Sequence, residues 1–232
     1  MDDNNTSETS MDAAKTLILN AALPHAAFDG WSESTFAAAS TDSGVASGLA
    51  RALFPRGGID LAVAYHQSGD GAMTEAIAAT DLTALRYTDR VAQAIKLRLA
   101  DADKELVRRG TTLFSLPHHA PEGAKLIWGT ADAIWKALGD TSNDLNWYSK
   151  RATLSAIYSA TVLFWLGDQS DGNADTWAFL QRRLANVTQF EKTKAAVMRN
   201  PIAKALLSGP LKLMKKIRAP QSAADLPGHH KS

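Results

Sequence analysis

Between Leu82 and Val187 apolar residues return every third or fourth position, and almost nowhere do they alternate with polar ones. That rhythm narrows the fold more than any other feature. Spacing of i, i+3, i+4, i+7 gathers side chains on one stripe of a helix, whereas a strand needs a period of two. It predicts long helices over about 82–108, 121–138, 143–166 and 173–188. Gly139, Gly167 and Gly172 supply stops between them, and Asn143 or Asp144 supplies an N-cap. Ahead of Leu82 the helices are shorter. One runs from about Met11 to Ala27 with Leu17, Ile18, Ala21 and Ala22 as its apolar face, and others cover 34–40, 45–54 and 59–67. Gly30-Trp31, the turn TDSG at 41–44 and the break from Pro55 to Gly58 part them. The body is therefore all-α. With 232 residues, 45% of them hydrophobic, it can bury its own core. There is no cysteine, which excludes disulfides, thiolate zinc sites and cysteine nucleophiles.

The formal charge of +1 conceals an asymmetry. From Lys192 onward the chain carries nine Lys and Arg against one acid, leaving 16 against 23 in the rest. At 100° per residue with Ile202 at zero, Leu206, Leu207, Leu213, Met214 and Ile217 fall between 0° and about 140°. Lys204, Lys212, Lys215, Lys216 and Arg218 fall between about 160° and 320°. One apolar face opposed by cations suits a helix lying in a membrane interface, and Pro210 is expected to kink or divide it. The same pattern would also serve a helix packed on the acidic body or on a second copy. No apolar run approaches the roughly 20 residues needed to cross a bilayer.

GWSESTFAAASTDSGVASGLARALF, from Gly30 to Phe54, has the layout of a helix-turn-helix and resembles the N-terminal module of TetR-type regulators. Its electrostatics do not suit DNA, whose affinity comes largely from neutralised phosphates. Between Glu8 and Asp60 stand three basic residues, Lys15, Arg51 and Arg56, against six acids. Enzymatic motifs are equally thin. None of Glu33, Glu75, Glu105, Glu122 and Glu191 has a His three residues on, so the di-iron Glu-x-x-His pattern is missing. His118-His119 sits between two prolines, where adjacent ligands point apart, while His25 and His66 read as satisfied neighbours. GGID at 57–60 lacks a phosphate-loop pattern and reads as a turn into the next helix.

DLNWYSKR, at 144–151, puts Asp144, Trp147, Tyr148 and Arg151 on one stripe of a helix. Asp144 and Arg151 lie about 10.5 Å apart along the axis, too far for an unstrained pair. Burial would leave charges in need of other partners, so exposure is expected, and an exposed Trp-Tyr pair beside an Arg has the composition of an interface hot spot. The alternative is that Trp147 anchors the helix to the core with the charges at its rim.

Together with LFPRGGIDLAVAYH at 53–66, APEGAKLIWGTADAIWKALGD at 120–140 and DTWAFLQRRL at 175–184, the segment DLNWYSKRATLSAIYSATVLFWLGD at 144–168 resembles the Coq-nine family of ubiquinone biosynthesis accessory proteins. The resemblance implies a non-enzymatic, TetR-like, usually dimeric protein without a cofactor. It would bind isoprenoid lipids in its large domain, touch membranes with a C-terminal amphipathic helix and deliver quinone intermediates to the di-iron demethoxyubiquinone hydroxylase. The family's hydroxylase-facing patch matches Asp144, Trp147, Tyr148 and Arg151, with Ile134 on the preceding helix. Large apolar residues on the ligand-domain helices, Leu113, Phe114, Leu116, Ile127, Trp128, Trp135, Tyr158, Phe164 and Trp165, are the candidate lipid wall. Fewer than half are expected to touch a ligand.

The expected plan is a disordered tail over 1–10, a helix-turn-helix-like module over 11–67, a lipid-binding domain over 68–190, a membrane-binding helix over 191–218 and a second disordered tail over 219–232. The first ten residues lack the basic start of a secretory or transit peptide and read as a bacterial protein or a mature chain. The expected location is the bacterial cytoplasm, peripheral on the inner face of the cytoplasmic membrane. The alternative function is a ligand-responsive TetR-type transcriptional regulator.

Overall fold

A computed structural model of the chain describes residues 3–199, with side chains over 10–187. Nine α-helices and no strand occur among the described residues. They are α1 (Asp3–Asp29), α2 (Glu33–Asp42), α3 (Ser47–Leu53), α4 (Gly58–Ala79), α5 (Tyr87–Ala100), α6 (Lys104–Ser115), α7 (Ala120–Ala137), α8 (Leu145–Gly167) and α9 (Ala174–Arg199), with a 3-10 turn at Asp171–Asn173 before α9.

Three boundaries differ from the sequence reading. Helix α1 takes in most of the stretch expected to be a disordered tail, because no Gly or Pro precedes Pro24 and a nucleated helix propagates through merely polar residues. Helix α4 continues to Ala79 through Gly69 and Gly71. The helix expected over 82–108 is two. The Asp103 carboxylate accepts from the backbone N–H groups of Glu105 (2.7 Å) and Leu106 (3.0 Å), so it starts α6 afresh.

The chain forms two compact units, one of Met1–Leu85 with Gln93–Thr130 and one of Arg86–Ala92 with Ala131–Ser232. In the first, α1 buries Ala14, Ile18, Ala22 and Ala26 at a spacing of four, while Leu17 of the expected apolar face is 54% exposed. Those small side chains let Trp31, Phe36, Phe54 and Leu61 close over the helix. Trp31 Nε1 donates to the Leu106 carbonyl (3.2 Å), which pins the entry to α2 against α6. The PRGGID stretch works as a turn, as its glycines suggested. Gly57 sits at φ +57°, and a Cβ on Gly58 would lie 2.4 Å from the Ser32 carbonyl oxygen, so neither position tolerates a side chain.

In the second unit α8 packs on α9. It buries Leu154, Ile157, Tyr158, Val162 and Trp165, and α9 buries Leu180 and Leu184. Each such side chain contributes about 1.5–3 kcal/mol relative to exposure. Asp168 closes the turn between the two helices. One carboxylate oxygen accepts from Ser170 N and Oγ, the other from Thr176 N and Oγ1, and these bonds hold its carboxyl well below the usual range.

Candidate functional site

The start of α8 is set by Asp144, whose carboxylate accepts from the Asn146 backbone N–H (2.9 Å) and caps the helix. One turn in, Trp147 and Tyr148 meet edge to face, ring centroids 4.7 Å apart and planes at 77°. Both rings are partly exposed, and Asp144 is exposed beside them.

Arg151 lies beneath. It is 1% exposed, which corrects the expectation that the whole stripe faces solvent. Nε donates to Asp132 on α7 (2.6 Å), and NH1 donates to Asp140, in the turn after α7 (3.2 Å), and to the Trp147 carbonyl (3.2 Å). The guanidinium carbon lies 4.0 Å from the centre of the Trp147 ring, within cation–π range. A buried Arg needs partners. Its partners come from α7 and the following turn rather than from Asp144 on its own helix.

The carboxylates are themselves held. Lys150 Nζ donates to Asp140 (2.6 Å) and to Ser142 Oγ (2.8 Å), and Ser142 Oγ donates to Asp140 (2.8 Å). Lys136 pairs with Asp132 at 2.7 Å. Burial opposes ionisation of Asp140, yet the bonds from Lys150, Ser142 and Arg151 outweigh it and keep the carboxyl below its ordinary value. Asp132 behaves alike, with Lys136 and Arg151 overcoming its burial. Sequence reasoning missed Asp132, Asp140, Ser142 and Lys150. Nothing in their spacing announces them, because the cluster exists only once α7, its turn and α8 fold together. Ile134 is fully buried, so as it stands it offers no surface to a partner.

The candidate lipid residues do not gather in one unit. Leu113, Phe114, Leu116, Ile127 and Trp128 belong to the first, and Trp135, Tyr158, Phe164 and Trp165 to the second. Tyr158 and Trp165 are buried, Trp135 stacks on Tyr87 with centroids 5.5 Å apart, and Phe164, 38% exposed, stacks on Phe179 at 4.6 Å. Leu113 and Phe114 pack against the core of the first unit, whereas Leu116 is 43% exposed. The membrane-contact candidates Ile202, Lys204, Leu206, Leu207, Lys212, Leu213, Met214, Lys215, Lys216, Ile217 and Arg218 lie outside the described residues.

The family model COQ9 matches residues 120–191, the stretch that carries α7, the Arg151 cluster and α8. "Ubiquinone biosynthesis protein COQ9, mitochondrial" of Drosophila melanogaster is 30% identical over 190 residues, covering 79% of this chain and 58% of that protein. The Homo sapiens protein of the same description is 31% identical over 189 residues, 78% of this chain and 59% of that protein. The chain belongs to the COQ9 family. It spans somewhat under three fifths of the length of these two relatives. Among solved structures, a TetR transcriptional regulator from Nitrosomonas europaea ATCC 19718 aligns with a TM-score of 0.62 at 20% identity, over 75% of this chain and 98% of that one. The all-α, TetR-like fold expected from the sequence is therefore the observed one.

For a COQ9-family chain with this fold, the front module is electrostatically closed. Arg51, the lone cation of α3, pairs with Glu33 and lies over the Phe36 ring at 4.2 Å. Arg56 donates to Glu122 through both terminal nitrogens (2.9 and 2.8 Å) and to Asp60, and Lys15 pairs with Asp12 at 3.3 Å. The two histidines read as satisfied are so: His25 meets Asp42 at 2.7 Å and His66 meets Thr130 at 2.8 Å. One expectation is overturned. The acidic opening segment suggested a bacterial cytoplasm and the inner face of its membrane, whereas the COQ9 relatives are named as mitochondrial proteins. The charge of ten residues is too slight a signal to set against those names.

Proposed function

We propose that this COQ9-family chain is a non-enzymatic accessory protein of ubiquinone biosynthesis. It takes up an isoprenoid quinone intermediate, rests on a membrane surface through the basic amphipathic segment 191–218, and as a homodimer presents the lipid to the demethoxyubiquinone hydroxylase. An apolar lining that replaces bilayer contacts for the prenyl tail makes extraction cheap in hydrophobic energy. The names of the relatives support the pathway.

The observation that carries the docking role is the Trp147–Tyr148 pair. It is partly exposed at the start of α8 and backed by a buried cation paired with two carboxylates, and a rigid aromatic anchor of this kind suits a protein–protein hot spot. Trp147→Lys leaves the fold and the lipid content intact in native mass spectrometry and weakens capture of purified hydroxylase. Unchanged capture sinks the docking role, and lipid-free protein from a quinone-producing host sinks the carrier role. The TetR-like fold favours a second reading, a transcriptional regulator. Against it stand the paired cations of the front module. A gel shift at low salt against the gene's own upstream DNA decides between the two.

A further inference from the structure

We infer that Arg151 is a positioning residue rather than a contact residue, and that with Asp132 and Asp140 it fixes the Trp147 ring for docking. The inference rests on the docking role proposed above. A guanidinium 1% exposed cannot reach a partner without unfolding the start of α8. What it does reach is the Trp147 ring, 4.0 Å from its carbon, and the Trp147 carbonyl, 3.2 Å from NH1. It thus holds one residue by both its side chain and its backbone. Its own plane is set by two carboxylates from separate places in the chain, Asp132 on Nε (2.6 Å) and Asp140 on NH1 (3.2 Å). Two anchors on different nitrogens fix the orientation of a planar group, which one would not. Lys150 and Ser142 then lock Asp140 from the other side. A lysine in place of Arg151 keeps the charge but has no plane to lay under the indole, so this substitution separates charge from geometry.

A ring held in advance loses less entropy when a partner covers it, which is how a buried residue improves an interface it does not touch. The test is a double-substitution cycle with purified demethoxyubiquinone hydroxylase, read beside the fluorine spectrum of 5-fluorotryptophan-labelled protein. The Trp147 resonance, one of six tryptophans, is assigned by Trp147→Phe. In Arg151→Lys, with circular dichroism and melting showing a folded chain, the Trp147 resonance moves toward that of free fluorotryptophan and hydroxylase binding weakens about tenfold. In a Trp147→Ala background the same change weakens binding no further. Asp132→Asn, milder because Arg151 keeps Asp140 on NH1, gives the same pattern at smaller size. An unmoved resonance overturns the inference, as does an Arg151→Lys loss that persists in full without the indole. If Trp147→Ala alone leaves binding unchanged, the docking role fails instead, and the fluorine spectrum still decides whether Arg151 fixes the ring.

Discussion

Arg98 and Arg151 are the two buried arginines among the described residues, and they put the same device to different ends. Arg98, in the first unit, donates through Nε to Asp70 (2.6 Å) and through NH2 to the His66 carbonyl (2.9 Å). Thr130 Oγ1 stands 2.8 Å from His66 Nε2 and 3.0 Å from the Asp70 carboxylate, so the group joins α4, α5 and α7 inside the first unit. Arg151, in the second unit, is as deeply paired, yet one face of its guanidinium is turned to an aromatic ring that reaches the surface. The first arrangement ties helices together. The second passes its rigidity to a ring at the surface.

Truncation tests this difference at the largest scale. Arg151→Ala leaves Asp140 still paired with Lys150 and Asp132 still paired with Lys136, and costs about 1.5–3 kcal/mol in denaturant unfolding. Arg98→Ala leaves Asp70, 16% exposed, with the Thr130 hydroxyl and a neutral His66 but no Arg or Lys, and costs more, about 3–5 kcal/mol. Equal or reversed losses would mean that loss of a carboxylate's last cation does not set the difference.

Acid separates the two clusters next. Burial, helped by the nearby Arg98 charge and opposed by Asp70, lowers the His66 pKa from 6.5 to about 4. Between those values the unfolded chain binds the extra proton, so stability is complete above pH 6.5 and falls as pH drops toward 4, by about 3 kcal/mol in all. Asp132 and Asp140 are depressed from 3.8, so the Arg151 cluster stays intact until pH falls below that value. Melting curves of the wild type should slope through the upper window, and those of His66→Gln should be flatter there. An unchanged slope would assign the acid sensitivity elsewhere.

How legible this was depends on the range of each interaction. The helices, the Asp144 cap and the GGID turn follow from neighbours within a few residues, and the sequence announces them. Arg151 did not yield because its partners lie 19 and 11 residues away in the chain, and a helical wheel searches one helix only. Asp103 was hidden for the opposite reason: apolar periodicity runs on across 101–103 and drowns a single capping side chain. The lipid candidates were the least legible. A buried Trp165 or Tyr158 has the same sequence signature whether it fills a core or faces a prenyl chain.

The smallest effects test how tightly the Arg98 network is built, and they come from one helix. A Cβ on Gly69 would lie 2.6 Å from NH1 and 2.7 Å from the central carbon of Arg98, whose guanidinium cannot swing away without giving up Asp70 and the His66 carbonyl. Gly69→Ala therefore costs about 1–2 kcal/mol even after the helix propensity gained from alanine. Gly71, two residues on, is exposed with nothing within 4 Å of a Cβ, so Gly71→Ala has only the propensity term and stabilises by about 0.5–1 kcal/mol. Opposite signs in paired urea titrations would attribute the Gly69 cost to Arg98. If both alanines stabilise, the guanidinium has room to move, and the network around His66 is looser than its distances imply.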